Sequence, residues 1–165
     1  MSLPIQPLID ALRNELQQYG EMLALLEQQQ EWVLSRAPDE VVQSVGAIYN
    51  QGGVLEDARA EREQARIALA RHLRMGEMAT FSEIVPRVPE EYRPLLEALV
   101  QENNELLGRI QHRARQNHLL LTRSLDLMQR FMSSMFPRGA GSTYGGDGSR
   151  SMDRLGARSL YEVVA

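Results

Sequence analysis

The chain of 165 residues contains no cysteine. Disulfides, thiolate nucleophiles and cysteine-held metals are excluded together. It contains no lysine either, so its 18 strongly basic residues are all arginine. That removes lysine-dependent phosphate loops and Schiff-base chemistry. Aromatic residues make up 5% of the chain, which leaves leucine, alanine, valine and methionine to fill a core, as in helical bundles. No run reaches the ~20 apolar residues that cross a bilayer, so no stable membrane insertion is expected. The N-terminal segment carries Asp10 and Glu15 within a helical pattern and lacks the cationic lead of a secretory signal, which points to the cytoplasm. A formal net charge of −4 argues against a nucleic-acid partner.

What the chain does have is three apolar ladders at helical spacing. The first reads Ile5, Ile9, Leu12, Leu16, Tyr19, Leu23, Leu26, a polar Gln30, and Val33. Its steps of three and four keep one stripe of a helix facing a partner helix. It predicts a helix from Pro4 or Pro7 to about Arg36, with Glu15, Gln18, Glu21, Gln28, Gln29 and Glu31 on the wet face. Pro38 ends it and Asp39 can cap the next. The second ladder is weaker: Val41 or Val42, Val45, Ile48, Gly52, Leu55, Ala58, Arg62, Ala65, Leu69 and Leu73. Gly52 and Gly53 sit in its middle, each costing a helix ~1 kcal/mol relative to alanine; a close helix approach or a bend is expected there, and a stop at Gly76.

Residues 77–94 form a connector, with Thr80 or Ser82 as the cap of a short helix and Phe81, Ile84, Val85 and Val88 turned back onto the core. Pro86 and Pro89 interrupt any longer helix. The third and longest helix is predicted from about Glu90 to Met135, along a seam of Tyr92, Leu96, Leu99, Asn103, Leu106, Ile110, Arg113 or Ala114, Asn117, Leu121, Ser124 or Leu125, Met128, Phe131 or Met132, and Met135. Its first part holds Glu90, Glu91, Glu97, Glu102 and Glu105 against Arg93 alone; its second holds Arg109, Arg113, Arg115, Arg123 and Arg130 against Asp126 alone. Complementarity to the helix dipole accounts for that order. After Pro137 the Gly-rich run 139–148 cannot bury enough surface to offset its ordering entropy.

The expected fold is therefore all-α: an elongated antiparallel bundle of three long helices plus a short connector helix over residues 1–136, then a flexible Gly-rich tail, 137–165. The apolar residues Leu155 and Leu160 to Val164 at its end form a possible docking motif.

Catalytic readings fail one by one. A di-iron bundle needs glutamate three residues before histidine, but Leu69, Arg109 and Arg115 precede His72, His112 and His118. His112 and His118 are six apart and on different helix faces, so no metal is expected. Glu61/Glu63 and Glu90/Glu91 lie in polar, Arg-bearing stretches where a carboxylate stays ionised and makes a poor general acid. No enzyme and no cofactor are expected.

The informative polar residues are on helix three. Asn103 and Asn117 fall on its seam, where a buried asparagine sets register at a cost in stability. Beyond them, methionines cluster with Phe131 in a part of the helix that outruns helix one by roughly ten residues, or ~15 Å. Methionine suits surfaces that repack against partners, and an exposed apolar stripe marks an interaction site. A homodimer or the chain's own tail is the competing cover for that stripe.

The stretch Asn117-His-Leu-Leu-Leu-Thr-Arg-Ser-Leu125, the tail Thr143-Tyr144-Gly-Gly-Asp-Gly148 and the early Leu16-x-x-Tyr19-x-x-x-Leu23-x-x-Leu26 resemble FlgN-type flagellar export chaperones over most of the chain. The resemblance implies a cytoplasmic bacterial chaperone of the flagellar type III export system that binds C-terminal helical segments of hook–filament junction proteins and delivers them to the export gate and its ATPase components. It maps the client-binding region onto Asn117, Leu120, Leu121, Ser124, Leu125, Met128, Phe131, Met132 and Met135, and the export-apparatus contact onto Tyr144. A monomer or small homo-oligomer is expected. The rival reading is a self-assembling coiled-coil scaffold.

Overall fold

A computed structural model describes residues 4–135; the tail, with Tyr144 and the docking motif, lies outside the described residues. Four α-helices follow in order: α1 (Ile5–Leu34), α2 (Pro38–His72), the short α3 (Phe81–Ile84) and α4 (Arg93–Met135), with no strand among the described residues. Helix α2 runs antiparallel to α1, and α4 returns parallel to it. The parallel register is read from two bonds with the same 91-residue offset: Asn103 Nδ2 donates to Leu12 O at 3.1 Å and Asn117 Nδ2 to Leu26 O at 2.7 Å.

The helix ends are local chemistry. Pro38 occupies the first turn of α2, where a missing N–H costs nothing, and Asp39 and Glu40 face its N-terminal dipole while Arg71 and His72 lie in its last turn. Helices α1 and α2 both close in a left-handed residue, Arg36 (φ 57) and Arg74 (φ 58). After each, the paired backbone bonds of a Schellman motif form: Ala37 N–H to Trp32 O at 3.0 Å with Arg36 N–H to Val33 O at 3.3 Å, and Met75 N–H to Ala70 O at 2.8 Å with Arg74 N–H to Arg71 O at 3.0 Å. The stop expected at Gly76 thus falls two residues earlier, on an arginine. Thr80 caps α3 in a capping box with Glu83, whose carboxylate accepts the Thr80 N–H at 2.7 Å. That bond holds Glu83 below the usual carboxylate range. Residues 85–87 and 90–92 are short 3-10 turns, so α4 starts at Arg93 rather than Glu90, with Pro94 in its first turn.

Two apolar clusters form the interior. The first joins Ile5, Leu8, Ile9 and Leu12 of α1, Leu69 and Ala70 of α2, Ile84, Val85 and Val88 of the connector, and Leu96 and Leu99 of α4. Arg66, itself buried, ties the connector to α2 through the carbonyls of Glu77 (2.8 Å) and Ala79 and through the Glu63 carboxylate. That guanidinium lowers the Glu63 pKa. The second cluster joins Tyr19, Met22, Leu23, Leu26, Ile48, Leu55 and Ile110.

Three expectations change. Glu15 and Gln29 are buried, not wet. Helix α1 lies against both α2 and α4, so its covered face is wider than one ladder and takes in Leu8, Ala11, Glu15 and Met22. Glu15 is tolerated there because Tyr19 Oη donates to it at 2.9 Å and Arg62 Nε at 3.0 Å, satisfying the charge inside the protein. Burial, with the Glu15 charge behind it, pushes the Tyr19 hydroxyl above its ordinary pKa. In α2 the covered residues are Ser44, Ile48, Leu55, Ala58, Arg66, Leu69 and Ala70, while Val42 and Val45 face solvent. Helix α2 also runs unbroken through Gly52 and Gly53, and a Cβ at either would meet nothing within 4 Å. No close helix approach explains the pair.

Candidate functional site

The two ends of the bundle differ, and the difference defines the site. At the closed end the connector seals the apolar cluster. At the open end a buried polar layer crosses all three long helices. Asn117 Nδ2 donates to Gln29 Oε1 at 3.0 Å, Gln29 Nε2 to Ser44 Oγ at 2.9 Å, and Ser44 Oγ to Val41 O at 2.6 Å. Each link leaves its neighbour satisfied, which a buried polar group requires. Arg113 adds an ion pair to Glu27 and a hydrogen bond to Gln30.

Past this layer α4 continues alone. The 91-residue offset puts the end of α1, Leu34, level with Leu125, and α4 runs ten residues further, to Met135. Of the residues expected to bind a client, Asn117 is 2% exposed and belongs to the interior. Leu120 and Leu121 are half-buried at the rim. Ser124, Leu125, Met128, Phe131, Met132 and Met135 are exposed, Phe131 at 64%. The hydroxyls nearby are already occupied: Ser124 donates to Leu120 O at 2.9 Å, Thr122 to His118 O at 2.8 Å and Ser134 to Phe131 O at 2.7 Å. The overhang therefore offers apolar surface without unmet polar demand.

A second exposed apolar group was not foreseen as surface. Val42, Val45 and Tyr49 (70% exposed) line one face of α2, level with the Ser44–Gln29–Asn117 layer, and Leu34 is exposed at the end of α1. The signal was present in the sequence. The alternative phase Ser44, Ile48, Leu55, Ala58 carries α2 as well as the valine phase does, but a serine on the inside is legible only once Gln29 is known to reach it.

Nothing at the site points to catalysis. No group of three or more His, Cys, Asp or Glu able to hold a metal exists among the described residues. His72, His112 and His118 are all exposed. The open groove between the connector and α4 is lined by Phe81, Val85 and Val100, and its titratable residues are two like-charged ones, Glu97 and Glu105. Such a pair supplies no nucleophile with an adjacent base. No helix is long and apolar enough to cross a membrane among the described residues.

The arrangement is a closed bundle that ends in a bare amphipathic helix, and the family model described as FlgN protein matches residues 1–151 of this sequence. The chain belongs to the FlgN family. That family is one of flagellar export chaperones, so the chain's relatives bind flagellar proteins rather than turn over substrates. Neither a curated protein nor a solved structure matches the chain.

Proposed function

We propose that this FlgN-family protein is a cytoplasmic chaperone dedicated to particular clients of flagellar type III export. It holds C-terminal helical segments of hook–filament junction proteins on the α4 overhang and delivers them to the export gate and its ATPase components. The observation that supports this reading is the ten-residue run of α4 past α1, with Leu125, Met128, Phe131, Met132 and Met135 exposed. Contiguous exposed apolar surface of that kind marks an interaction site. An amphipathic helix is its natural occupant, and flexible methionines let one surface accept more than one sequence. Binding here is helix pairing with no chemical step and no cofactor. Tyr144, in the tail that follows the overhang, is the proposed contact with the export apparatus, where a tethered tail raises the effective concentration of the delivered client.

The test replaces Leu121, Leu125 and Met128 by aspartate, singly and together, and measures affinity for a purified hook–filament junction protein alongside thermal unfolding. Each single change is expected to weaken binding by roughly thirtyfold or more, the scale of an interface hot spot, while unfolding stays cooperative. Unchanged client affinity in the triple variant removes the overhang as the site. Light scattering separates the scaffold alternative. A chaperone gives a monomer or small oligomer and a stoichiometric client complex, whereas a scaffold gives large assemblies of the chain alone.

A further inference from the structure

The overhang carries two apolar seams, not one. Leu120, Leu127 and Phe131, with the small Ser124 and Ser134 between them, extend the heptad line of Asn103, Ile110 and Asn117. Leu121, Leu125, Met128, Met132 and Met135 extend the neighbouring line of Val100, Leu107 and Ala114. Within the bundle both lines are occupied. The asparagine line is buried and bonded to α1. The line beside it is half-buried against the two clusters built from α1 and α2 residues. In its bundled part α4 thus lies in the cleft of the α1–α2 hairpin. The overhang repeats that two-seam pattern after the hairpin has ended, and from Leu127 round to Leu125 its apolar arc spans roughly 160° at 3.6 residues per turn. A helix facing a single partner needs an arc of only about 100°.

We infer that the overhang is the third helix of an intermolecular three-helix bundle: the partner supplies an antiparallel pair of apolar-faced helices, which lie in line with α1 and α2. The inference rests on the chaperone reading and specifies the shape of the client. Two features select a helix pair over other occupants. The seams continue interfaces that α4 already makes with two helices. A second copy of this chain brings only one more overhang, which covers one seam and leaves the other in water. The partner's faces are apolar and need no polar anchors, because Ser124 and Ser134 donate to their own helix.

The native chain has no cysteine, so single thiols report each face separately. Leu127→Cys marks one seam, Met128→Cys the other, and Arg123→Cys the opposite side of the helix. Alkylation rates are measured in the full chain with and without a purified hook–filament junction protein. A covered thiol reacts at least about tenfold more slowly than an exposed one. The expected result is that saturating client slows Leu127→Cys and Met128→Cys together and leaves Arg123→Cys unchanged. Protection of one seam only means that a single helix binds, which overturns the inference and leaves the chaperone reading standing. Protection of neither seam while the client still co-purifies overturns both. Protection without client also overturns the inference. If it grows with protein concentration, a second copy is the cover; if it vanishes on deletion of residues 137–165, the chain's own tail is.

Discussion

At one end of the bundle the connector lays Ile84, Val85 and Val88 over Leu8, Leu69 and Leu96, and every one of these side chains is buried. At the other end Gln29, Ser44 and Asn117 form the last buried layer, and the leucines and methionines of α4 beyond it stand in solvent. The same residue types are used at both ends. What differs is the number of neighbouring elements: α1, α2, the connector and α4 converge at the closed end, and α4 is alone at the open end. Apolar surface stabilises a fold only when something covers it. The closed end therefore contributes stability, and the open end holds surface for use by a partner. The polar layer sits at the boundary, where hydrogen bonds set register and apolar collapse goes no further.

The sharpest way to break this comparison is to truncate one side chain at each end. Leu69→Ala, at a position with 0% exposure, is expected to cost about 3 kcal/mol, whereas Met132→Ala should leave stability within about 0.5 kcal/mol. Denaturant unfolding of both variants measures the contrast, and equal losses would mean the overhang is packed in solution. The boundary layer comes next. Asn117→Ala leaves Gln29 and the Leu26 carbonyl short of a donor and should cost about 1–3 kcal/mol. The same experiment on Ser124→Ala, seven residues along the same line but past the layer, should show almost none of that loss.

A smaller effect, of opposite sign, lies in the loops. Arg74→Gly relieves a left-handed arginine at the closed end and should raise stability by about 1 kcal/mol; calorimetry would detect it as a higher melting temperature. The smallest effect is a pH dependence confined to the closed end. Arg66 holds the Glu63 carboxyl below its ordinary value of 4.5. The folded state thus binds that proton less readily than the unfolded state, so the pair's contribution is present above pH 4.5 and is lost as pH falls through the depressed folded value. Glu63→Gln should flatten the acid limb of stability slightly, because the side chain is 45% exposed and solvent screens it. Stability profiles of both proteins from pH 7 down to pH 3 test the sign.

Much of this architecture was legible along the chain. The ladders of α1 and α4, the Thr80 cap, the connector residues Ile84, Val85 and Val88, and the two seam asparagines are all where their spacing and type place them. So is the overhang, because helix length follows from residue count at 1.5 Å per residue. The inner face of α2 was not legible. Its alanines, arginines and glutamates support a helix in any phase, and Val42 and Val45 look more like core than Ser44 and Arg66 do. The buried Glu15 and Gln29 were missed for a related reason. Each is polar by type and becomes an interior residue only through partners far along the chain: Arg62 for the first, Ser44 and Asn117 for the second.

Periodicity and composition are local properties, and for this protein they were enough to determine an all-helical chain, the number of long helices and an apolar end with no partner of its own. The tertiary structure alone decided the phase of α2, the 91-residue register between α1 and α4, and which polar groups could be enclosed. Those outcomes depend on whether a donor meets an acceptor across two helices. That is settled by how the helices lie against one another, and no stretch of one helix encodes it by itself.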